Sequence, residues 1–325
     1  MYNIHGLILM LNWLVKMTTL YYLQVHPDSI KEMFNIQEVV PQDNVIFQNV
    51  TPFKINEIPS LFPHSVLCTS LVTKTPQLPL TVLEAIDRCS DDMDNFMSVL
   101  SDSMTDINIV DLEKETREQY KCSLWKYHRR GRITSSTAHA AKGKTDLFNL
   151  IFKSKDISHL SAVKYGLEHE AIARKKFESI MVLEHTNFQV KDSGLQLHKD
   201  FPLLGASPDG IIVCDCHGTG CLEIKCPSTF KEGMPNITVG QTLKQFSYLS
   251  SNGSSLKETH SYYYQVQMHM LLTKVNYCYL FIDGADRVLN IRVERNDSFL
   301  QKMTTTLSAR YNEILPSLKI SIQND

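Results

Sequence analysis

Apolar and polar positions fall into regular patterns most clearly after residue 105. From 111 to 127 the chain has helical composition with neither Gly nor Pro, and Gly131 breaks it. Ser135 or Ser136 is a good N-cap for a second helix starting near Thr137. A third helix is predicted over 161–180, with Leu167, Ala171, Arg174 and Phe177 on one face. The stretch 188–197 alternates loosely and reads as a strand. Two further strands, 211–213 and 221–226, flank a Gly-containing turn. A helix over 261–273, strands over 276–282 and 288–293, and a closing helix over 297–314 complete the pattern. This order predicts an α/β (α+β) domain with a mixed central sheet flanked by helices.

The first third differs. Six prolines (Pro41, Pro52, Pro59, Pro63, Pro76 and Pro79) argue for extended segments and loops, because each removes a donor and restricts its neighbour. A helix is predicted over 81–100, with Val82, Leu83, Ile86, Met93, Phe96 and Leu100 as its apolar positions, and Asp102, Ser103 and Asp106 as a linker or cap. The expected organisation is an irregular N-terminal region of unknown role, 1–105, followed by the main domain, 106–325. The apolar run at 6–15 is too short for a membrane span of about twenty residues. No Lys or Arg precedes it, as a signal peptide would require, so a buried helix or strand, or a mis-called start, is the expectation. No membrane association is expected.

Composition adds limits. With 325 residues, 43% hydrophobic and 21% charged, the chain can bury a full core without metal or disulfides. Its net charge of -2 means that any nucleic-acid role must come from local basic clusters. Eight cysteines in a chain this long are not a secreted disulfide scaffold. Reduced thiols in an intracellular compartment, nuclear or cytoplasmic, are the expectation.

The chemistry concentrates in three segments: Gly205-Ala206-Ser207-Pro208-Asp209-Gly210, Leu222-Glu223-Ile224-Lys225-Cys226-Pro227, and the helix around Glu170. On a strand, Glu223 and Lys225 share a face and Ile224 points the other way. If the hairpin tip lies near Cys216, Asp209 sits opposite Glu223, with Cβ atoms about 4.5–5.5 Å apart. Two carboxylates that close repel unless a cation lies between them. Mg²⁺, a hard ion that takes carboxylate and phosphate oxygens, suits the pair. Lys225 adds positive charge where negative charge would develop, a combination that fits phosphodiester hydrolysis. Each piece has a plainer reading. Ser-Pro-Asp-Gly is a common turn, Glu-Ile-Lys an ordinary strand, and Glu170 with Arg174 a surface i,i+4 pair. Their conjunction and order favour the site.

At these residues the sequence resembles the YqaJ-type viral recombinase and lambda exonuclease-like family of PD-(D/E)XK nucleases. Gly166-Leu167-Glu168-His169-Glu170-Ala171 resembles the family's helix motif and places its glutamate on Glu170 rather than Glu168. Tyr264-Gln265-Val266-Gln267-Met268 resembles its Tyr-x-x-Gln-x-Gln helix, and Arg132-Ile133-Thr134-Ser135-Ser136 its Arg-Ile-Thr-Ala-Ser segment. The resemblance covers about 113–318 and implies a restriction-endonuclease-like fold. It implies that Asp209, Glu223 and the Ile224 carbonyl ligate Mg²⁺, with Mn²⁺ able to substitute, and that Glu170 completes the site. Lys225 would orient or activate water and stabilise negative charge. Gln265 would position water, lysine or the scissile phosphate. The implied activity is a Mg²⁺-dependent deoxyribonuclease, a 5′-to-3′ exonuclease on double-stranded DNA ends in recombination or end resection. It would leave a 5′-phosphate and a 3′-hydroxyl. A same-fold endonuclease and a non-catalytic DNA-binding module derived from a mobile element stay open. A homo-oligomer, by family likeness a trimer, and a single-strand annealing protein are the implied partners.

From Lys121 to Thr145 there are seven basic residues and no acidic one. A run like this is commonly a solvated face, but here it abuts a predicted helix start, where N–H groups and hydroxyls bind phosphate. The resemblance implies that Arg129, Arg132 and Ser135 hold a terminal 5′-phosphate, with Ser136 as the register alternative. Trp125 is either a base-stacking wedge or part of the core. Finally, Cys214, Cys216, His217 and Cys221 resemble a zinc set, but four candidates within eight residues of one turn are cramped, which argues against zinc.

Overall fold

The computed structural model describes residues 77–89, 95–153, 159–235, 246–250, 253 and 255–318. The apolar run at 6–15 and all but the end of the proline-rich stretch lie outside them. The chain divides into two units, Met1–Leu71 and Val72–Asp325, and the described residues belong to the second.

Two helices open this unit: α1 (Val82–Arg88) and α2 (Phe96–Asp102). Thr81 caps α1 in a capping box, accepting from the Glu84 N–H while Glu84 accepts from the Thr81 N–H at 2.8 Å. Val82, Ile86, Phe96 and Leu100 are buried in one core with Leu112, Ile133, Leu204 and Tyr311. The boundary expected at 105 therefore falls inside a packed unit. The helix expected over 111–127 is two helices, α3 (Asp106–Glu115) and α4 (Ser123–Arg129). Thr116 Oγ1 turns back onto the Leu112 carbonyl at 2.6 Å, and Gln119 adopts φ +48°. The Gln119 side chain donates to the Ser193 and Pro208 carbonyls, both at 2.9 Å. Tertiary hydrogen bonds here outweigh helix propensity.

Beyond Gly131 a short strand, β1 (Ile133–Thr134), pairs in parallel with β3 (Leu204–Gly205). The next helix, α5 (Ala138–Ala141), has Thr137 as N-cap, not Ser135 or Ser136; Ser135 instead extends the β1–β3 pairing, its N–H donating to the Gly205 carbonyl at 2.9 Å. Helix α6 (Leu147–Phe152) and the long α7 (Ser161–Met181) follow. The expected strand at 188–197 shortens to β2 (Gln189–Lys191), with Gln196 bridging Ala206.

The main sheet has the order β2-β4-β5-β6-β7, with β4 (Gly210–Cys214), β5 (Gly218–Lys225), β6 (Tyr277–Asp283) and β7 (Val288–Glu294). All neighbours are antiparallel except β5 and β6, which run parallel. One face buries Leu222, Ile224 and Phe281 against Ala173 and Phe177 of α7. The other buries Cys221, Cys278 and Leu280 against Val266 and Met270 of α8 (Ser261–Thr273). Helix α9 (Asp297–Ile314) closes the first core through Leu300, Leu307 and Tyr311. The expected mixed sheet flanked by helices is thus present. Among the described residues, no helix is long and apolar enough to cross a membrane.

His128 sits at the end of α4, 2% exposed, and its Nδ1 has no hydrogen-bond partner. Burial, then the Arg132 charge, press its pKa down from 6.5 to about 4. The unfolded chain therefore binds a proton below pH 6.5 that the folded one refuses until about pH 4. Stability should fall as pH drops through this window, by on the order of 3 kcal/mol from this residue. Urea unfolding at pH 7 and pH 4.5 checks it: His128→Leu should flatten the difference, and an unchanged pH dependence would refute the assignment.

Candidate active site

The β4–β5 pairing is centred on Cys216, as the sequence reading expects: Gly210 pairs with Leu222 and Cys214 with Gly218. One step further, Asp209 stands opposite Glu223, and its N–H donates to the Leu222 carbonyl at 2.9 Å. The Ile224 N–H donates to Asp209 Oδ2 at 2.6 Å, which orients that carboxylate across the strand. The residue after Asp209 must be glycine for packing reasons, because a Cβ at Gly210 would lie 2.4 Å from Val190 Cγ1. Arg174 on α7 holds the same corner. Its guanidinium donates to the Asp209 carbonyl at 3.3 Å and the Val190 carbonyl at 3.0 Å, and it pairs with Glu178 and Asp192. Arg174 is thus engaged with these partners rather than forming the surface pair with Glu170 considered above.

Glu223 lies 3% exposed on the face of β5 that looks at α8. Lys225 Nζ and Gln265 Nε2 both donate to its Oε1 at 2.5 Å, and His269 Nε2 lies 2.7 Å from its Oε2. Since a carboxylate only accepts, that histidine nitrogen carries the hydrogen. Tyr262, Gln265 and His269 share one helical face by their i, i+3 and i+4 spacing, and Lys225 Nζ sits 5.4 Å from the Tyr262 ring. Glu170 comes from α7, which packs on β5.

The electrostatics separate these groups. Burial alone would raise the Glu223 carboxyl, but Lys225 and His269 draw it down to about 2. Asp209 is pushed well above the carboxylate range by burial, then by the Glu223 and Glu170 charges. Glu170 is raised by burial and by Glu223, against Lys225 and Arg174. Burial lowers the Lys225 ammonium, but Glu223 and Asp209 outweigh it and hold the ammonium above its usual range. Lys225 thus sets a positive charge against the Glu223 and Asp209 carboxyls. Three carboxylates converge on one ammonium. The excess negative charge and all-oxygen donors fit a hard divalent cation better than a zinc-type site.

The structure brings Glu170, Asp209, Glu223, Ile224, Lys225 and Gln265 together. His269 and Tyr262 join them without having been singled out. Their only sequence signal is spacing, because both lie on the face of α8 marked by Gln265. The phosphate-pocket candidates divide. Arg129 stacks its guanidinium 3.9 Å above the Trp125 ring, and Trp125 Nε1 donates to Ser207 Oγ at 2.8 Å, two residues before Asp209. Trp125 is half-buried and bonded, part of the scaffold beside the site. Arg132 is a correction. It is 1% exposed, and its guanidinium donates to the His128, Pro202 and Leu80 carbonyls at 2.5, 3.0 and 3.0 Å. Three of its five N–H donors are spent on these carbonyls, and the enclosed side chain presents no exposed face to a phosphate. Ser135 is buried and Ser136 exposed. Helix α5 is a single turn, so it presents little dipole to an anion.

Comparison with known proteins agrees with the motifs. Residues 124–276 match the YqaJ-like viral recombinase domain. Among solved structures, the alkaline exonuclease LHK-Exo from Laribacter hongkongensis is 23% identical with a TM-score of 0.42, over 60% of this chain and 93% of that one. The Shutoff and Exonuclease Protein from Kaposi's sarcoma-associated herpesvirus is 11% identical with a TM-score of 0.46, over 79% and 90%. A SOX–DNA complex gives 12% and 0.48, over 76% and 87%. No curated protein matches the chain in sequence.

Proposed function

We propose that this chain, which carries a YqaJ-like viral recombinase domain and is a nuclease of that family, is a divalent-metal-dependent deoxyribonuclease that degrades double-stranded DNA from its ends, 5′ to 3′. The observation that carries the reading is the meeting of Glu170, Asp209 and Glu223 around Lys225, with the Asp209 carboxyl raised by burial and then by the Glu223 and Glu170 charges. Asp209, Glu223 and the Ile224 carbonyl would hold Mg²⁺ or Mn²⁺, with Glu170 closing the set. When bound, the cation supplies Lewis-acid polarisation of a phosphate and a more acidic water.

The chain's own residues do the rest. Lys225 places a fixed ammonium where negative charge builds on the phosphorus oxygens. Gln265 and His269 hold the Glu223 carboxylate in place, and with Lys225 they leave about one lone pair, on Oε2, for a cation. Arg174 and the Ile224 N–H hold Asp209 in place. A water oxygen bonds to phosphorus and the P–O3′ bond breaks, leaving a 5′-phosphate and a 3′-hydroxyl. Arg129, exposed Ser136 and the exposed Lys126, Arg130 and Lys144 would steer the phosphate backbone without reading sequence.

The test uses purified full chain with end-labelled linear duplex and a covalently closed circle, in Mg²⁺ or EDTA. The expected result is Mg²⁺-dependent release of 5′-terminal nucleotides from the linear substrate, with the circle spared. Cutting of the circle would replace this reading with an endonuclease. Binding without any cleavage would replace it with a catalytically silent DNA-binding module.

A further inference from the structure

A second cluster of chemistry lies at the far end of the β4–β5 hairpin. Cys214 ends β4, Cys216 and His217 form the turn, and His185 arrives from the loop after α7. One ligand atom from each of these four lies within 4.8 Å of all the others. His185 Nδ1 is 3.1 Å from Cys216 Sγ, His217 Nδ1 is 3.1 Å from the same sulfur, and the two ring nitrogens are 3.2 Å apart. The Cys214 and Cys216 sulfurs are 3.5 Å apart, so they are not joined as a disulfide.

These separations resemble the edges of one polyhedron. Zinc bonds of about 2.3 Å to sulfur and about 2.0–2.1 Å to nitrogen give tetrahedral edges of roughly 3.4 Å between nitrogens, 3.5 Å between nitrogen and sulfur, and 3.8 Å between sulfurs. The four separations given above fall a few tenths short of those values, which a central ion would open slightly, and the Cys214 sulfur lies within 4.8 Å of both histidine nitrogens. In the sequence Cys221 stands as the fourth candidate, and four candidates within eight residues of one turn are cramped. Cys221 is in fact buried within β5, its thiol donating to the Tyr277 carbonyl. His185, about thirty residues upstream, takes the fourth position, so the ligands come from two separated segments as structural zinc prefers.

The local backbone is built to bring the two segments together. The Asp215 N–H donates to the Thr186 carbonyl at 3.0 Å, and Asn187 Nδ2 donates to Asp215 Oδ2 at 2.6 Å. Asn187 and Gly218 take φ +52° and +72°, conformations that suit these residue types and fold both loops back on themselves.

We propose that His185, Cys214, Cys216 and His217 bind one Zn²⁺ as a closed structural site. Its soft thiolate and imidazole donors contrast with the oxygen donors of the active site, so the two sites prefer different ions. Five residues of β4, roughly 16 Å at strand rise, separate Cys214 from Asp209. The ion would clamp the end of the helix that carries Glu170 to the hairpin that carries Asp209 and Glu223. It holds three acids in register without touching substrate.

The test is independent of nuclease activity. Full-length protein is stripped with chelator and titrated with Co²⁺. The expected result is one thiolate-bound cobalt per chain, with thiolate-to-cobalt charge transfer and the visible bands of tetrahedral geometry, displaced by stoichiometric Zn²⁺. The bands should persist in Asp209→Asn and Cys221→Ser, weaken at least about tenfold in affinity in His185→Ala, and vanish in Cys216→Ser. Zn²⁺ should also shield exposed Cys216 from alkylation, a readout on the native sequence that needs no variant. Absence of thiolate bands, their survival in Cys216→Ser, or Zn²⁺-independent alkylation of Cys216 would each overturn the proposal. None of these outcomes bears on whether Asp209 and Glu223 support cleavage.

Discussion

Asp209→Asn should reduce DNA cleavage by at least about a thousandfold, roughly 4 kcal/mol of transition-state stabilisation, while leaving the protein folded. The substitution keeps an oxygen to accept the Ile224 N–H bond of 2.6 Å, so the corner of the sheet should survive. It removes an ionisable acid from a site where burial and the neighbouring Glu223 and Glu170 carboxylates already resist ionisation. The stability consequence has a definite sign. An acid with a raised folded pKa is harder to ionise in the fold than in the unfolded chain. Above the unfolded value of about 3.9 it therefore costs stability, and the cost grows until pH passes the folded pKa. In EDTA near neutral pH the variant should melt no lower than the native sequence. Added Mg²⁺ should raise the native melting temperature, by about 2.7 kcal/mol of stability at a hundredfold excess over Kd, and should leave Asp209→Asn unmoved. Cleavage surviving in the variant, or equal Mg²⁺ stabilisation of both proteins, would remove Asp209 from the site.

Arg132→Met should destabilise the unit by about 3–5 kcal/mol, a large share of the 5–15 kcal/mol that holds a typical domain together. The guanidinium is fully enclosed, and it joins three places: the end of α4 through the His128 carbonyl, the entry to α1 through Leu80, and the turn before β3 through Pro202. Methionine fills the space but leaves three buried carbonyls without donors, each costing about 1–3 kcal/mol before relaxation. Lysine cannot replace the planar fork, so Arg132→Lys should recover only part of the loss. Urea denaturation measures the effect. DNA binding separates the structural role from a phosphate contact. At temperatures where the variant is folded, the salt dependence of binding should match the native slope, whereas Arg129→Gln should lower it by about one counterion. A reduced slope in Arg132→Met with unchanged stability would reverse the assignment and restore Arg132 to the phosphate pocket.

The local pattern already determines much of this protein. Helices α7, α8 and α9 and strands β5, β6 and β7 lie within a few residues of where the apolar pattern places them: α7 and α9 bury one face, while α8, β5 and β6 are apolar runs buried on both sides. The register of the Asp209–Glu223 hairpin follows from a period of two and a tight turn, so the acidic pair was legible before any fold was known. What the sequence could not show is which donors reach across to that pair. His269 and Arg174 come from different helices, and only the packing of α7 and α8 on opposite faces of β5 brings them to Glu223 and Asp209. The same holds where the sequence misleads. Arg132 sits in a basic run that looks solvated, yet the convergence of α4, the α1 entry and the β3 turn encloses it and offers it three carbonyls. His185 has no local motif at all, and joins Cys214, Cys216 and His217 because the loop after α7 folds against the hairpin tip. Periodicity sets which face a residue takes, since that depends on neighbours along the chain. Partnership across elements depends on contacts between distant segments, and those exist only once the whole unit has packed.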